Sequence, residues 1–401
     1  MVLNIYYKLN DINAISVALS AINTEKNFNF RPSIGEMQKK YGEFYPIALD
    51  QIHLLPKSSK KLSHFCEAGC LFEPRSFEQS TSQTVATWKA RFFPSKKLLS
   101  LTGGLGVDDW AWAKTNCKVI SCDPNSDLNE LATYNFRKLD VQVERLCTTA
   151  EEYLESQPLD GFDLMYIDPD RRKAENRLHG KADEFQPNVS NILKQVQELN
   201  IPVLVKMSPL TDINWIEENW LGNKKFYAIM YQGEVKELLI YIDFGEKKPL
   251  QKEVVLLYET GYELFTESNI PQDTQKEKTY FFEPHAGYFC LNLHREMCKW
   301  SFLEPQNSQK TYFVSSEILP VVIGRTFLIL HQSKGSLNQL QRLLSLKGIT
   351  HSSVSSRECG GLKTEEIRKK LKQSDGGQFY IFVTKNKDGF LMYVTEKVIS
   401  R

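Results

Sequence analysis

The sequence has no run approaching the roughly eighteen consecutive apolar residues of a membrane span, so none is expected. Nor is there a charge imbalance: 50 Lys and Arg against 49 Asp and Glu leave a formal net charge of +1. The molecule as a whole is no attractor for polyanions, and any affinity for nucleic acid has to come from local basic patches. The N-terminal segment has no basic lead followed by an apolar core, so a cleaved signal peptide is not expected and a cytoplasmic location is. Eight cysteines (Cys66, Cys70, Cys117, Cys122, Cys147, Cys290, Cys298 and Cys359) are scattered along the chain and make a poor disulfide framework. His64, Cys66 and Cys70 offer half of a zinc site, but no second ligand pair follows, and no metal is expected. Tandem repeats and low-complexity tracts are absent.

What is present is the texture of a globular protein, 41% hydrophobic and 25% charged, with length enough for about two to four domains. Residues 1–75 read as helix. Apolar side chains recur at helical spacing through Ile12, Ile15, Val17, Leu19 and Ile22, and again from Met37 and Tyr41 to Tyr45, Ile47 and Ile52, punctuated by Pro32 and Pro46. From 97 onward strands alternate with helices. Strands are expected at 98–103, 119–122, 141–146, 162–167 and 201–205, with helices at 108–114, 125–139, 151–156 and 189–199 between them. Strongly apolar strands separated by helices imply a mostly parallel sheet covered on both faces. Segments 225–231 and 237–243 read as antiparallel strands around Gly233. A hydrophilic stretch at 267–278 leads into FFEPHAGYFCLNLH. Strands at 326–330, 351–355, 379–384 and 390–394, with helices at 337–346 and 364–371, then form a small α+β module. The resulting division is 1–75, 76–247, 248–320 and 321–401.

Chemistry concentrates at the strand ends. Leu101-Thr102-Gly103-Gly104-Leu105-Gly106-Val107-Asp108-Asp109 lies between a strand and a helix. Its glycines let the backbone approach a ligand closely. A dinucleotide site would place a third glycine where Asp109 stands, to seat a pyrophosphate. A carboxylate there repels diphosphate and welcomes the ammonium of S-adenosylmethionine, so that methyl donor is the expected cofactor. Asp123, before Pro124 at the second strand's end, is placed to accept from ribose hydroxyls, or simply forms a turn. Thr149 and Ala150 follow the third strand, where adenine would be read. Tyr166-Ile167-Asp168-Pro169-Asp170-Arg171-Arg172 closes the fourth strand and puts charge at the substrate edge. Lys206 and Ser208, at the end of the fifth strand, face the same crevice as substrate contacts; the alternative for Ser208 is a turn.

Asp168 and Pro169 resemble the Asp/Asn-Pro-Pro-aromatic motif of methyltransferases acting on exocyclic amines of nucleobases. In those enzymes the first side chain holds the amine toward the methyl group. Asp170 and Arg171 depart from the motif, so Asp168, Pro169 and Arg171 are carried as the catalytic set, with Asp168 also as a cofactor contact and Arg171 and Arg172 also as base or phosphate contacts. Phe77-Glu78-Gln79-Ser80-Thr81 resembles a segment that folds over the cofactor in such enzymes, giving Gln79 and Thr81 as cofactor contacts. The order FEQST, LTGGLGVDD, CDPN, YIDPDRR, VKMSPLTDI, GEVKELL, FFEPHAGYF, GRTF and EEIRKKLK resembles the bacterial class I methyltransferases with a C-terminal THUMP-like domain. That resemblance implies a Rossmann-like class I sheet after a helical N-terminal region, then a small ferredoxin-like segment and a THUMP-like module. It further implies S-adenosylmethionine as cofactor and rRNA or tRNA as substrate. Local support comes from Lys57, Lys60 and Lys61; Arg171, Arg172, Lys173 and Arg177; and Lys363, Arg368, Lys369, Lys370 and Lys372, where Ile367 and Leu371 mark the buried side of a helix. Two other functions fit the residues: a protein or small-molecule methyltransferase, and a non-catalytic RNA-binding protein keeping the cofactor fold. Oligomeric state has no signature.

Overall fold

The computed structural model describes residues 33–42, 45–171, 185–265, 278–386 and 389–398. The helix expected around 12–22 lies outside them. The chain forms two compact units, Met1–Lys225 with Leu239–Leu250, and Phe226–Leu238 with Gln251–Arg401.

The first unit opens with α1 (Ile34–Tyr41), capped reciprocally: the Ser33 hydroxyl accepts from the Glu36 amide while the Glu36 carboxylate accepts from the Ser33 amide. Met37 and Tyr41 pack on Ala48 and Ile52 of α2 (Tyr45–Lys61). Pro46 sits in the first turn of α2, where its missing N–H costs nothing. Three short helices follow: α3 (Ser63–Glu67), α4 (Pro74–Gln79) and α5 (Gln83–Phe92).

The alternating region then delivers β1 (Lys97–Ser100), α6 (Val107–Ala113), β2 (Lys118–Cys122), α7 (Ser126–Lys138), β3 (Val143–Leu146), α8 (Ala150–Ser156) and β4 (Leu164–Ile167). A two-residue ladder joins β5 (Asp170–Arg171) to β6 (Phe185–Gln186). After α9 (Val189–Val196) come β7 (Val203–Met207), α10 (Ile213–Asn219), β8 (Asn223–Tyr231) and β9 (Glu234–Asp243). β1 pairs in parallel with β2 and β4, β2 with β3, and β4 with β7. The order is β9-β7-β4-β1-β2-β3. Leu98, Leu99, Met165, Ile167, Val203 and Val205 are buried, as the unbroken apolar runs require.

Three strands, β3, β4 and β7, start two residues later than expected. Val141 is held back by its amide bond to the Phe136 carbonyl at the end of α7. Pro202 has no N–H for the ladder, so β7 begins at Val203. From β1 the sheet grows one way through β2 and β3 and the other way through β4 and β7. The carboxyl ends of β1 and β4 therefore border the crevice of a doubly wound sheet. β8 and β9 are joined by Gln232 and Gly233, both at positive φ (54° and 81°), the conformation that suits a two-residue hairpin turn. The division between the units runs through this hairpin.

In the second unit β8 is followed in its sheet by β10 (Gln251–Leu257) and β11 (Tyr262–Leu264). A seven-stranded sheet takes β12 (Tyr280–Pro284), β13 (Leu303–Pro305), β14 (Phe313–Ser315), β15 (Gly324–Gly335), β16 (His351–Ser356), β17 (Ser374–Asn386) and β18 (Gly389–Lys397). Its order is β13-β14-β12-β15-β18-β17-β16. A short helix, α11 (Ala286–Cys290), follows β12, and α12 (Leu337–Leu346) and α13 (Thr364–Lys370) follow β15 and β16. A boundary at 320 falls inside this sheet, because β12 pairs with β15 and Phe281 joins Tyr312, Phe327, Phe382 and Tyr393 in one aromatic cluster. On α12 and α13, Leu337, Leu340, Leu344 and Ile367 pack with Leu371 against Ile381, Val383, Met392 and Val394.

Candidate active site

The chain leaves β1 through the glycine turn, and the three glycines are there for different reasons. A Cβ on Gly103 would lie 1.9 Å from Arg145 Nη1 and 2.5 Å from Ser121 Oγ. On Gly106, which caps α6 at φ 82°, it would lie 2.4 Å from the Phe136 ring. Protein packing therefore accounts for both. Gly104, at φ 50°, has no atom of the described residues within 4 Å of where a Cβ would stand, unlike the other two. Gly104 is fixed on both sides: its N–H, in the Gly103–Gly104 peptide, donates to Asp123 Oδ2 (2.8 Å), and its carbonyl, in the Gly104–Leu105 peptide, accepts from Arg145 Nη2 (3.1 Å). The second Asp123 oxygen accepts from the Asn125 amide at 2.9 Å, so the residue is both turn former and partner of the glycine loop.

The adjacent carboxylates diverge. Asp108 accepts from Lys89 Nζ (3.0 Å), the Thr81 hydroxyl (2.8 Å) and the Tyr166 hydroxyl (3.0 Å). Lys89 is fully buried, and it also donates to the Tyr166 hydroxyl at 3.0 Å. Burial pushes the Asp108 carboxyl upward, but the charges of Lys89 and Lys206 and the Lys89 and Thr81 hydrogen bonds outweigh it and hold the group below the usual carboxylate range. Asp109 turns the other way. It accepts from Ser121 Oγ (2.6 Å) and Arg145 Nη1 (3.2 Å), with side chains of Asp109 and Arg145 only 1% and 2% exposed. Both carboxylates thus have internal cationic partners. The idea of a bare acidic turn awaiting an ammonium has to be corrected: neither acid in the turn is uncompensated.

At the end of β4 the Asp168 amide donates to Thr102 Oγ1 at 2.6 Å, tying the two strand ends together. Lys206, from β7, donates to Asp168 Oδ2. Among the described residues nothing bonds to the other oxygen, Oδ1. Pro169 is buried behind it. Asp170, exposed, meets Arg75 of α4 at 3.4 Å and pairs with Gln186 in the β5–β6 ladder. Three bonded groups therefore stand at the ends of β1, β2, β4 and β7: Gly104 with Asp123, Thr81 with Asp108, and Thr102 with Asp168 and Lys206.

Other candidate residues are placed differently. Thr149 caps α8 in a reciprocal pair with Glu152, and Ala150 is the buried first residue of that helix. Bonds from the Thr149 amide and the Thr148 and Thr149 hydroxyls or amides hold the exposed Glu152 carboxyl below its ordinary range. Ser208 takes the turn alternative, accepting from the Leu210 amide at 3.3 Å. Gln79 is exposed at the last turn of α4. Arg171 contributes backbone to β5; its side chain, and Arg172, Lys173 and Arg177 altogether, lie outside the described residues. Lys57 and Lys61 pair with α4, Lys57 with Glu78 and Lys61 with the Phe77 carbonyl. Sequence reasoning missed Lys89 and Arg145. Lys89 sits four residues after Val85 on the buried stripe of α5, and Arg145 interrupts a strand of a parallel sheet; a long cation at either place signals an internal anion.

The THUMP domain-like family matches residues 324–397. The chain carries a C-terminal THUMP-like domain. It comprises β15, α12, β16, α13, β17 and β18. No curated protein matches the sequence. A candidate methyltransferase from Porphyromonas gingivalis W83 is 22% identical over 97% of this chain and 99% of that one, with a TM-score of 0.78. At that identity the likeness shows the fold. The expected architecture, helices, a Rossmann-like sheet and then the THUMP-like domain, is the one observed. Looser likenesses include the tRNA (uracil-54, C5)-methyltransferase of Pyrococcus abyssi (16% identity, 43% of this chain and 40% of that chain, TM-score 0.30). Another is an RNA methyltransferase of Salinibacter ruber (14%, 42% and 96%, TM-score 0.30). Similarity that loose carries no argument about this chain. No helix among the described residues is long and apolar enough to cross a membrane, and no group of three or more metal-ligating side chains occurs among them.

Proposed function

We propose that this protein is an S-adenosylmethionine-dependent methyltransferase that modifies a base, through an exocyclic amine, in rRNA or tRNA. The observation that carries the reading is Asp168, held at the end of β4 by Thr102 and Lys206, with its Oδ1 unbonded among the described residues. A carboxylate fixed there accepts a hydrogen from an amine and holds the nitrogen lone pair in line for transfer. Catalysis of this kind is positioning and polarisation rather than proton abstraction.

The cofactor, when bound, supplies an electrophilic methyl group on sulfonium. The residues present fit it. Gly104, with no described atom near its Cβ position, leaves room for the amino-acid tail, and Asp123 stands at the end of β2 beside the loop, where ribose hydroxyls would be read. With Asp108 and Asp109 compensated by Lys89 and Arg145, the tail would meet a nearly neutral wall, which suits a zwitterion better than a diphosphate. Thr81, bonded to Asp108, brings the segment after α4 to the same crevice. RNA recognition falls to the THUMP-like domain, where Lys369, Lys370 and Lys372 are exposed while Arg368 is engaged with Glu365 and Asp375.

Transfer of radiolabelled methyl groups into RNA from a strain lacking the gene tests the reading. Label in rRNA or tRNA is the expected result. Label confined to protein or metabolites overturns the RNA assignment, and failure of the protein to bind S-adenosylmethionine in calorimetry overturns the cofactor.

A further inference from the structure

Arg145 spends its whole guanidinium inside the protein. Its Nε donates to Asn129 Oδ1 (2.8 Å), Nη1 to Asp109 Oδ2 (3.2 Å) and Ser121 Oγ (3.0 Å), and Nη2 to the Gly104 carbonyl (3.1 Å). Two of these partners, Ser121 and Asn129, belong to β2 and α7; Asp109 belongs to α6. The fourth is the carbonyl of Gly104, the glycine of the turn whose Cβ position meets no atom of the described residues. A planar fork reaching rigid elements on one side and a loop carbonyl on the other fixes that loop in a way a lysine point charge cannot. Asp123 restrains the preceding peptide of the same residue, through the Gly104 N–H. Gly103 is kept without a side chain because this fork passes through the space a Cβ would fill.

We infer that Arg145, oriented by Asp109, is a positioning residue that sets the Gly104 peptide for the amino-acid tail of the methyl donor. The second aspartate of the Asp108-Asp109 pair thus serves the cofactor without touching it. The inference rests on the cofactor reading above. It adds a division of labour: the Arg145 fork governs the tail, and the nucleoside half is held elsewhere.

Two ligands separate the halves: S-adenosylmethionine, and 5′-methylthioadenosine, which keeps the nucleoside and sulfur but lacks the tail. Calorimetry would be run on the full chain, on R145K, and on the double variant D109N/R145M. The double variant removes both charges, so no unpaired carboxylate is left in the core. Thermal melting checks that each variant is folded. The expected result is a loss of about tenfold or more in S-adenosylmethionine affinity in both variants, with methylthioadenosine binding unchanged. Retained S-adenosylmethionine affinity in the folded variants overturns the inference, as does a parallel fall for both ligands, which would make Arg145 a general structural brace. If the unaltered chain binds neither ligand, it is the cofactor reading that fails, and the inference goes with it.

Discussion

At the scale of single residues, the site consists of side chains that restrain one another. Asp168→Ala is expected to reduce methyl transfer by about a hundredfold or more while leaving S-adenosylmethionine affinity intact, because in the proposed mechanism its carboxylate holds the acceptor amine. Calorimetry alongside the transfer assay decides; equal loss of both would make Asp168 structural. Lys89 and Asp108 are a buried pair whose members cannot be removed singly without cost. Lys89→Met should destabilise the fold by about 3 kcal/mol, with much of that recovered in the double variant with Asp108→Asn, as read from denaturant unfolding. The pair also gives a pH signature. Because the folded Asp108 carboxyl is held below its ordinary value, its contribution is fully present above the unfolded value of about 4. It is lost as pH falls through the lower folded value. Melting temperatures of the wild type and Asp108→Asn should therefore converge on acidification below about pH 4 and separate above it. The types of the loop residues were legible in the sequence; their partners were not. Nothing in LTGGLGVDD says that one aspartate faces a lysine from α5 and the other an arginine from β3, because such contacts are set by sheet order.

At the scale of elements, the order of helices and strands could largely be read from periodicity and breakers over 97–243 and 324–397, but α10 was missed and no element was assigned over 248–320, where β10 to β14 and α11 lie. Where it failed, the backbone decided. β3 and β7 begin late because a helix end and a proline use the preceding residues, and β17 reaches back to Ser374, which pairs with His351 across an irregularity before the regular ladder starts at Phe379. Thr149 illustrates the ambiguity of a polar residue at a strand-to-helix junction. It was a cofactor candidate, and its hydroxyl is engaged in capping α8. Thr149→Ala should cost about 1 kcal/mol in unfolding free energy, the ordinary loss for an N-cap. If capping is its whole role, S-adenosylmethionine affinity will not move in the same variant; a fall in affinity beyond what stability explains would restore it as an adenine contact.

At the scale of the whole molecule, near-zero net charge leaves polyanion binding to patches. The THUMP-like domain was legible only through resemblance, since α+β modules of this size share their patterns widely. Its helix α13 does show the expected split, with Ile367 buried and Lys369 and Lys370 exposed. Replacing Lys369, Lys370 and Lys372 with Gln should weaken RNA binding and flatten its dependence on salt concentration, by about 2 to 3 in the logarithmic slope if all contact phosphate. An unchanged slope in filter binding would remove this helix from the interface.

Gly104 offers a practical consequence. Of the three glycines in the turn, it is the one where a Cβ would meet no atom of the described residues. Asparagine and aspartate tolerate its backbone conformation better than other residues. A labelled or crosslinkable group grafted there would look out into whatever occupies the crevice, making this position a vantage point from which the native ligand could be trapped and weighed.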